Sequence, residues 1–236
     1  MKQILYINAF TTHQSVKRSI KELIPNSGMR RRMSAIVKQG VTVGMDCLCD
    51  FSDSKEVDAI ITSTYLGCIE DTEKFIEIIE STEESLLNPT PFIRSTFNTI
   101  GAQIALLCQN KHYNMTYSHG KKSWEQAFLD AALLIAEKDA DNVLVGYYDE
   151  QTALEDQLCE RLSLSIKDLF TSGSFFCVVS SKPSINCLVE LEWEMIDKKS
   201  DSLILATDFM RSILDVSNQP VLLNGEIQRI KVKSCL

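Results

Sequence analysis

The sequence lacks an apolar run long enough to cross a bilayer, which argues against a membrane span. Its opening, MKQILYINAF, has a brief apolar core without a small-residue cleavage pattern, so it reads as a first strand and not as a signal peptide. A cytoplasmic location is expected. Positive charge is also in deficit. The chain carries 24 Lys and Arg against 32 Asp and Glu, a net charge of −8, whereas a nucleic-acid binder is more often basic. Histidine is scarce, with only His13, His112 and His119. There are eight cysteines, at 47, 49, 68, 108, 159, 177, 187 and 235, but no paired spacing of the kind zinc needs. Only Cys47 and Cys49 are close, so no metal and no cofactor is expected, and the thiols read as free in a reducing compartment. Linkers, repeats and low-complexity tracts are missing too.

What remains is ordinary for a soluble globular chain. It has 236 residues, 44% hydrophobic, enough to bury a core of useful size. Strands are predicted over 4–10, 58–67, 112–118, 141–150, 172–181 and 186–196, and in the closing GEIQRIKVKS. Helices are predicted over 16–23, from Met33 to about Leu48, after a cap at Asp71, and over 95–109, 123–137 and 201–214. A further helix is read in TALEDQLCERLSL, a turn at 25–28, and a polar connector in STEESLLNPTPFIRS. The 95–109 helix is apolar all round and so is expected to be buried, with Gly101 permitting close backbone packing. Alternation of strands and helices argues for an α/β layer structure with a mostly parallel sheet and one domain.

The stretch NMTYSHGKKSWEQAFLDA (114–131) reads as strand, bend and helix. Such a bend raises one side chain above a sheet beside free backbone N–H groups, where a nucleophile can be activated and an oxyanion held. This bend holds Tyr117, Ser118, His119, Gly120, Lys121 and Lys122, and no cysteine. Ser123 followed by Gln126 reads as a capping box. Ser118 and His119 are adjacent, so on a strand they point to opposite faces and make a poor Ser–His pair. A polar turn with capping duties is the plainer account. Lys121 and Lys122 are solvated cations, or they meet a phosphate or fill a vestigial pocket.

The succession PFIRSTFNTIGAQIAL, MTYSHGKKSWEQAFLDAALLIAEKDADNVLVGYYDE and SGSFFCVVSSK resembles the N-terminal half of a β-ketoacyl synthase, within the thiolase fold. It is most similar to the divergent ketosynthase and chain-length-factor-like branch of aryl polyene or flexirubin type pathways. The resemblance covers roughly Met33 to Lys182. It implies a thiolase-like half: a three-layer α/β/α unit with a five-stranded mixed sheet, spanning 1–236 as a single domain. It also implies that the strand 112–118 pairs with its twin across a two-fold axis, giving a homodimer or a heterodimer with a ketosynthase.

Two departures qualify the likeness. The family's nucleophilic Cys would fall at or near Lys121, within the region Ser118, His119, Lys121 and Ser123. The family's catalytic His residues lie in a second α/β half, and this chain ends before one could begin. Cys108 and Cys177 lie in apolar runs and read as core. Asp149 and Glu150 end a strand where α/β proteins place functional carboxylates, but related synthases carry acids there without catalytic use. From Lys17 to Lys38 the chain is strongly basic, with Lys17, Arg18, Lys21, Arg30, Arg31, Arg32 and Lys38 against Glu22. Such a patch would steer an acidic partner such as an acyl carrier protein, or be a solvated face. The favoured function is a non-catalytic, chain-length-factor-like subunit in fatty-acid or polyketide-type biosynthesis, a pseudoenzyme of an acyltransferase family. The alternatives are an acyltransferase or synthase active only with a partner chain, and a homodimeric scaffold.

Overall fold

The structure, a computed structural model, describes residues 1–52, 54–81, 89–153, 157, 160–161, 172–196, 201–215 and 220–235. Its frame is one eight-stranded sheet. The strands are β1 (Lys2–Thr12), β2 (Ala59–Thr64), β3 (Tyr113–Ser118), β4 (Asn142–Asp149), β5 (Gly173–Ser180), β6 (Val189–Met195), β7 (Val221–Asn224) and β8 (Gln228–Ser234). Their spatial order is β3-β2-β4-β5-β1-β6-β8-β7. The five strands β3 to β1 in that order form one half, and β6, β8 and β7 extend it beyond β1. The expectation of five strands is therefore corrected to eight. The mostly parallel sheet is corrected as well. Among the described residues only β2–β3 and β2–β4 run parallel, and every other strand pair is antiparallel.

The helices are α1 (Ile20–Leu23), α2 (Ser27–Arg32), α3 (Ala35–Phe51), α4 (Ile69–Ser81), α5 (Pro89–Ser95), α6 (Thr99–Cys108), α7 (Ser123–Glu137) and α8 (Ala206–Leu214). One face of the sheet buries Trp124, Ala127, Phe128, Ala131 and Ile135 of α7 with Phe209 and Ile213 of α8. The other face buries Ile36, Val37, Val41 and Leu48 of α3 with Ile100 and Ile104 of α6. Three layers thus form over the first five strands. Over β6 and β8, among the described residues, only the α8 side is covered. Their open face carries a ladder in which Glu190, Glu192 and Glu194 oppose Lys233, Lys231 and Arg229.

Several local expectations shift. Residues 25–28 do not form a simple turn. Asn26 Oδ1 accepts the Met29 N–H at 3.0 Å and starts α2. Asp71 is no cap, since α4 begins at Ile69 and Asp71 lies buried in its first turn. Helix α6 is not buried all round: Ile100 and Ile104 face inward, while Leu106 is 67% exposed. Gly101 does serve close packing, because a Cβ there would stand 3.0 Å from Asn114 Oδ1. Strand β7 was not predicted. The helix read in TALEDQLCERLSL, and with it Cys159, falls largely outside the described residues.

Candidate functional site

Strand β3 ends at Ser118, and the chain turns through His119 and Gly120 into a 3-10 turn, Gly120–Lys122, that runs directly into α7. Gly120 has φ +57°, a conformation that favours glycine, and a Cβ there would come into ordinary contact with the Tyr65 ring at 3.4 Å. Ser123 is buried. Its Oγ accepts the His119 N–H at 2.7 Å and donates to the Gly120 carbonyl at 2.8 Å. It therefore closes the bend. The predicted capping box is not formed: the residue before the helix is Lys122, and Gln126 meets the His119 ring instead, Oε1 to Nδ1 at 3.3 Å. No hydrogen bond joins Ser118 to His119 among the described residues. Lys122 is tied to Glu226 at 2.7 Å.

Lys121 stands at the place the resemblance assigns to the nucleophile. With Tyr65, Gly120, Ser123, Trp124, Tyr147 and the segment Leu205 to Thr207, it lines a cavity of about 20 Å³. That is room for about one water, far below the roughly 300 Å³ at which small-molecule sites begin. Beneath it the Trp124 ring packs on Phe175 and Phe209, with centroids 4.8 and 4.9 Å away.

The roof over the bend is fastened by Glu125, a residue that the sequence reading did not single out. Its carboxylate accepts backbone N–H groups of Glu226 at 2.6 Å and Ile204 at 3.1 Å, and its own carbonyl accepts from Gln228 Nε2 at 2.6 Å. Burial raises its carboxyl pKa above the ordinary value. Gly225 allows this approach, because a Cβ there would fall 2.1 Å from Glu125 Oε1. A lone acid between Trp124 and Phe128 on the inward face of a helix was the available signal.

Asp149 is buried at the end of β4. It accepts from Thr64 Oγ1 at 2.8 Å, Tyr65 N–H at 2.7 Å and Leu66 N–H at 3.0 Å, so it organises the loop that carries the Tyr65 ring. Burial pushes it up to about 6 against these donors. Glu150 accepts the Glu70 N–H at 3.1 Å, and burial pushes it up to about 7. Both carboxylates are engaged in holding structure. Cys68, which follows the same loop, is held protonated by burial and by Glu150, Asp71 and Asp149, up to about 12. Cys177 is fully buried and its thiol is raised by burial. Cys108 is partly buried and pushed up to about 11.

His13 lies elsewhere, at the end of the sheet. Its Nδ1 is 3.3 Å from both the N–H and the carbonyl of Ser174, and it lines a second small cavity with Tyr147, Phe175 and Thr207. His112 precedes β3, on the opposite end of that strand from the bend. Among the described residues no three His, Cys, Asp or Glu side chains converge to hold a metal ion. No helix among them is long and apolar enough to cross a membrane.

The basic run divides in two. Lys17 pairs with Asp50 at 2.6 Å, and Arg18 pairs with buried Asp46 at 2.8 Å and with Asp50 at 2.9 Å. Arg18 is raised above its usual range by these two carboxylates. Both cations thus fasten the chain to α3. Arg30 donates to the Pro25 carbonyl at 2.8 Å, and with Arg31 and Lys38 it lines an open concavity of about 330 Å³. Arg32 points to a neighbouring cleft beside Met29, Met33 and Arg94.

The chain is similar in fold to a chain of the structure described as "Ketosynthase (ApeO) in Complex with its Chain Length Factor (ApeC) from Xenorhabdus doucetiae". That match has TM-score 0.62 and 14% identity, covering 99% of this chain and 97% of that one. It is also similar to the ishigamide ketosynthase/chain length factor, at TM-score 0.62 and 14% identity over 82% of this chain and 68% of the other. A third likeness is to the complex AntDE:AntF, a type II polyketide synthase acyl-carrier protein with its ketosynthase, at TM-score 0.64 and 13% identity over 83% and 70%. Among curated proteins none matches the chain. The family described as "Beta-ketoacyl synthase, N-terminal domain" matches residues 11–160, well over half of the chain. The strand, bend and helix at 113–137 lie inside that match, and the chain belongs to this family.

Proposed function

We propose that the chain, as one unit, is a non-catalytic ketosynthase-like subunit that pairs with an active synthase and sets the length of the chain that synthase builds. The carrying observation is the head of α7: a lysine where the acyl-bearing thiol would stand, in a space of about 20 Å³. Ketosynthase chemistry needs a thiolate to take the acyl chain and imidazoles to support decarboxylation. No thiol is brought to this bend among the described residues, and its one imidazole, His119, is turned toward Gln126 with no second histidine beside it. Strand β3 stands at the edge of the sheet and, among the described residues, is bonded to β2 alone; this supports pairing, since an open edge flanked by Tyr113 and Met115 can take a further strand. The Arg30, Arg31 and Lys38 concavity suits the acidic surface of a carrier protein.

The test has two arms. Purified chain incubated with acyl and malonyl thioesters is expected to keep its intact mass and release no carbon dioxide. Added to a partner ketosynthase with its carrier protein, it is expected to co-elute and change the product length distribution. Acylation at the bend, or unaided decarboxylation, overturns the reading; so does a synthase that neither binds it nor changes its products.

A further inference from the structure

Cys187 and Cys235 stand where the β6–β8 ladder runs out. The register pairs Val189 with Ser234, and the Cys235 N–H reaches on to the Leu188 carbonyl at 3.5 Å. This brings the two sulfurs to 2.7 Å, inside the contact distance of unbonded sulfur atoms. Cys235 is exposed and Cys187 partly buried, so solutes reach the pair from the Cys235 side. Of the other described cysteines, Cys47, Cys68 and Cys177 are buried in the core, while Cys49 and Cys108 are partly buried.

We infer that Cys187 and Cys235 are the site of a reversible intrachain disulfide that clips the end of β8 to the start of β6. Burial and the neighbouring Cys235 push the Cys187 thiol up to about 12. The exposed Cys235 is therefore the attacking group. As a thiolate it displaces one thiolate from a small disulfide such as oxidised glutathione, giving a mixed disulfide. Cys187 then gives up its proton and attacks the Cys235 sulfur, expelling the second glutathione. Two protein thiols and one glutathione disulfide become one protein disulfide and two glutathione thiols, so electrons and protons balance. The bridge would close the segment that holds α8, β7 and β8. That same segment supplies Leu205 to Thr207 over the bend and the Glu226 N–H to Glu125.

The full chain is equilibrated in glutathione buffers of graded ratio, alkylated, and mapped by mass spectrometry without reduction. Alkylatable thiols are expected to fall from the eight of the sequence to six as the buffer becomes oxidising, with a cross-linked peptide joining 187 to 235. Thermal melting is expected to rise on oxidation in the wild type and to be indifferent to redox in Cys187→Ser and in Cys235→Ser, the latter at an exposed position near the chain end. Continued alkylation of both residues in excess oxidised glutathione overturns the inference. A persistent glutathione adduct on Cys235, or a Cys235 bridge between two chains, overturns it equally.

Discussion

At the level of single residues, buried acids do the shaping, and their titration is measurable. Asp149 is the clearest case. The folded chain holds its carboxyl at about 6 against an ordinary 3.8, so the folded state binds that proton more tightly than the unfolded state. Its contribution to stability is fully present below pH about 4 and is lost as pH rises through about 6. The wild type should therefore lose roughly 3 kcal/mol relative to Asp149→Asn across that window. Urea midpoints of both proteins from pH 4 to 7 check this, and parallel curves would refute it. At neutral pH, Asp149→Asn should still be the less stable protein, by about 1–3 kcal/mol, because an amide donor would face the Tyr65 or Leu66 N–H. Gly120→Ala should cost about 1–2 kcal/mol, the penalty of a side chain at positive φ, since the space beside the Tyr65 ring would admit a methyl group. Thermal unfolding reads that loss directly.

Among elements, α7 was legible to its last residue, because its inward residues recur at helical spacing and a glycine marks the bend before it. Helix α6 was misread because an apolar composition hides which side is inward. Ile100 and Ile104, one turn apart, are its fully buried apolar side chains, while Ala105, Leu107 and Cys108 pack against the core only in part. The bend was legible as a shape, but its hydrogen bonds were not. Whether Ser123 caps the helix or closes the turn depends on a 3-10 segment that no local pattern announces. The same holds for Lys17 and Arg18, whose partners Asp46 and Asp50 lie about thirty positions onward; the only hint was a pair of acids inside the apolar run of α3. Edge strand β3 yields the prediction at this scale. Met115 is 40% exposed beside a free edge, so Met115→Lys should leave melting within about 0.5 kcal/mol of wild type. It should also abolish co-elution with a partner synthase. Unchanged co-elution would place the pairing surface elsewhere.

For the molecule as a whole, the α/β class and the three layers over the first five strands were readable from alternation. Of the three further strands, β6 and β8 were read as strands, over 186–196 and in GEIQRIKVKS, but their place in an eight-stranded sheet was not, and β7 was missed. β7 is only four residues long, and β6 and β8 show on their open face a ladder of opposite charges whose pairing depends on register. That ladder is solvent-facing, so raising salt to 1 M should change stability by less than about 1 kcal/mol. A larger loss in guanidine-free thermal scans would show that the ladder holds more than a surface.

Strand β1 is the first to be made and lies deep inside the sheet, with Tyr6 paired to Ser180 on one side and Glu190 on the other. At about 5–20 residues per second, it waits on the order of 10 s for either neighbour to leave the ribosome. Through that interval an apolar strand has both its edges bare, so the nascent chain is a natural client for a holding chaperone. The central sheet can then be completed only after β5 and β6 have emerged.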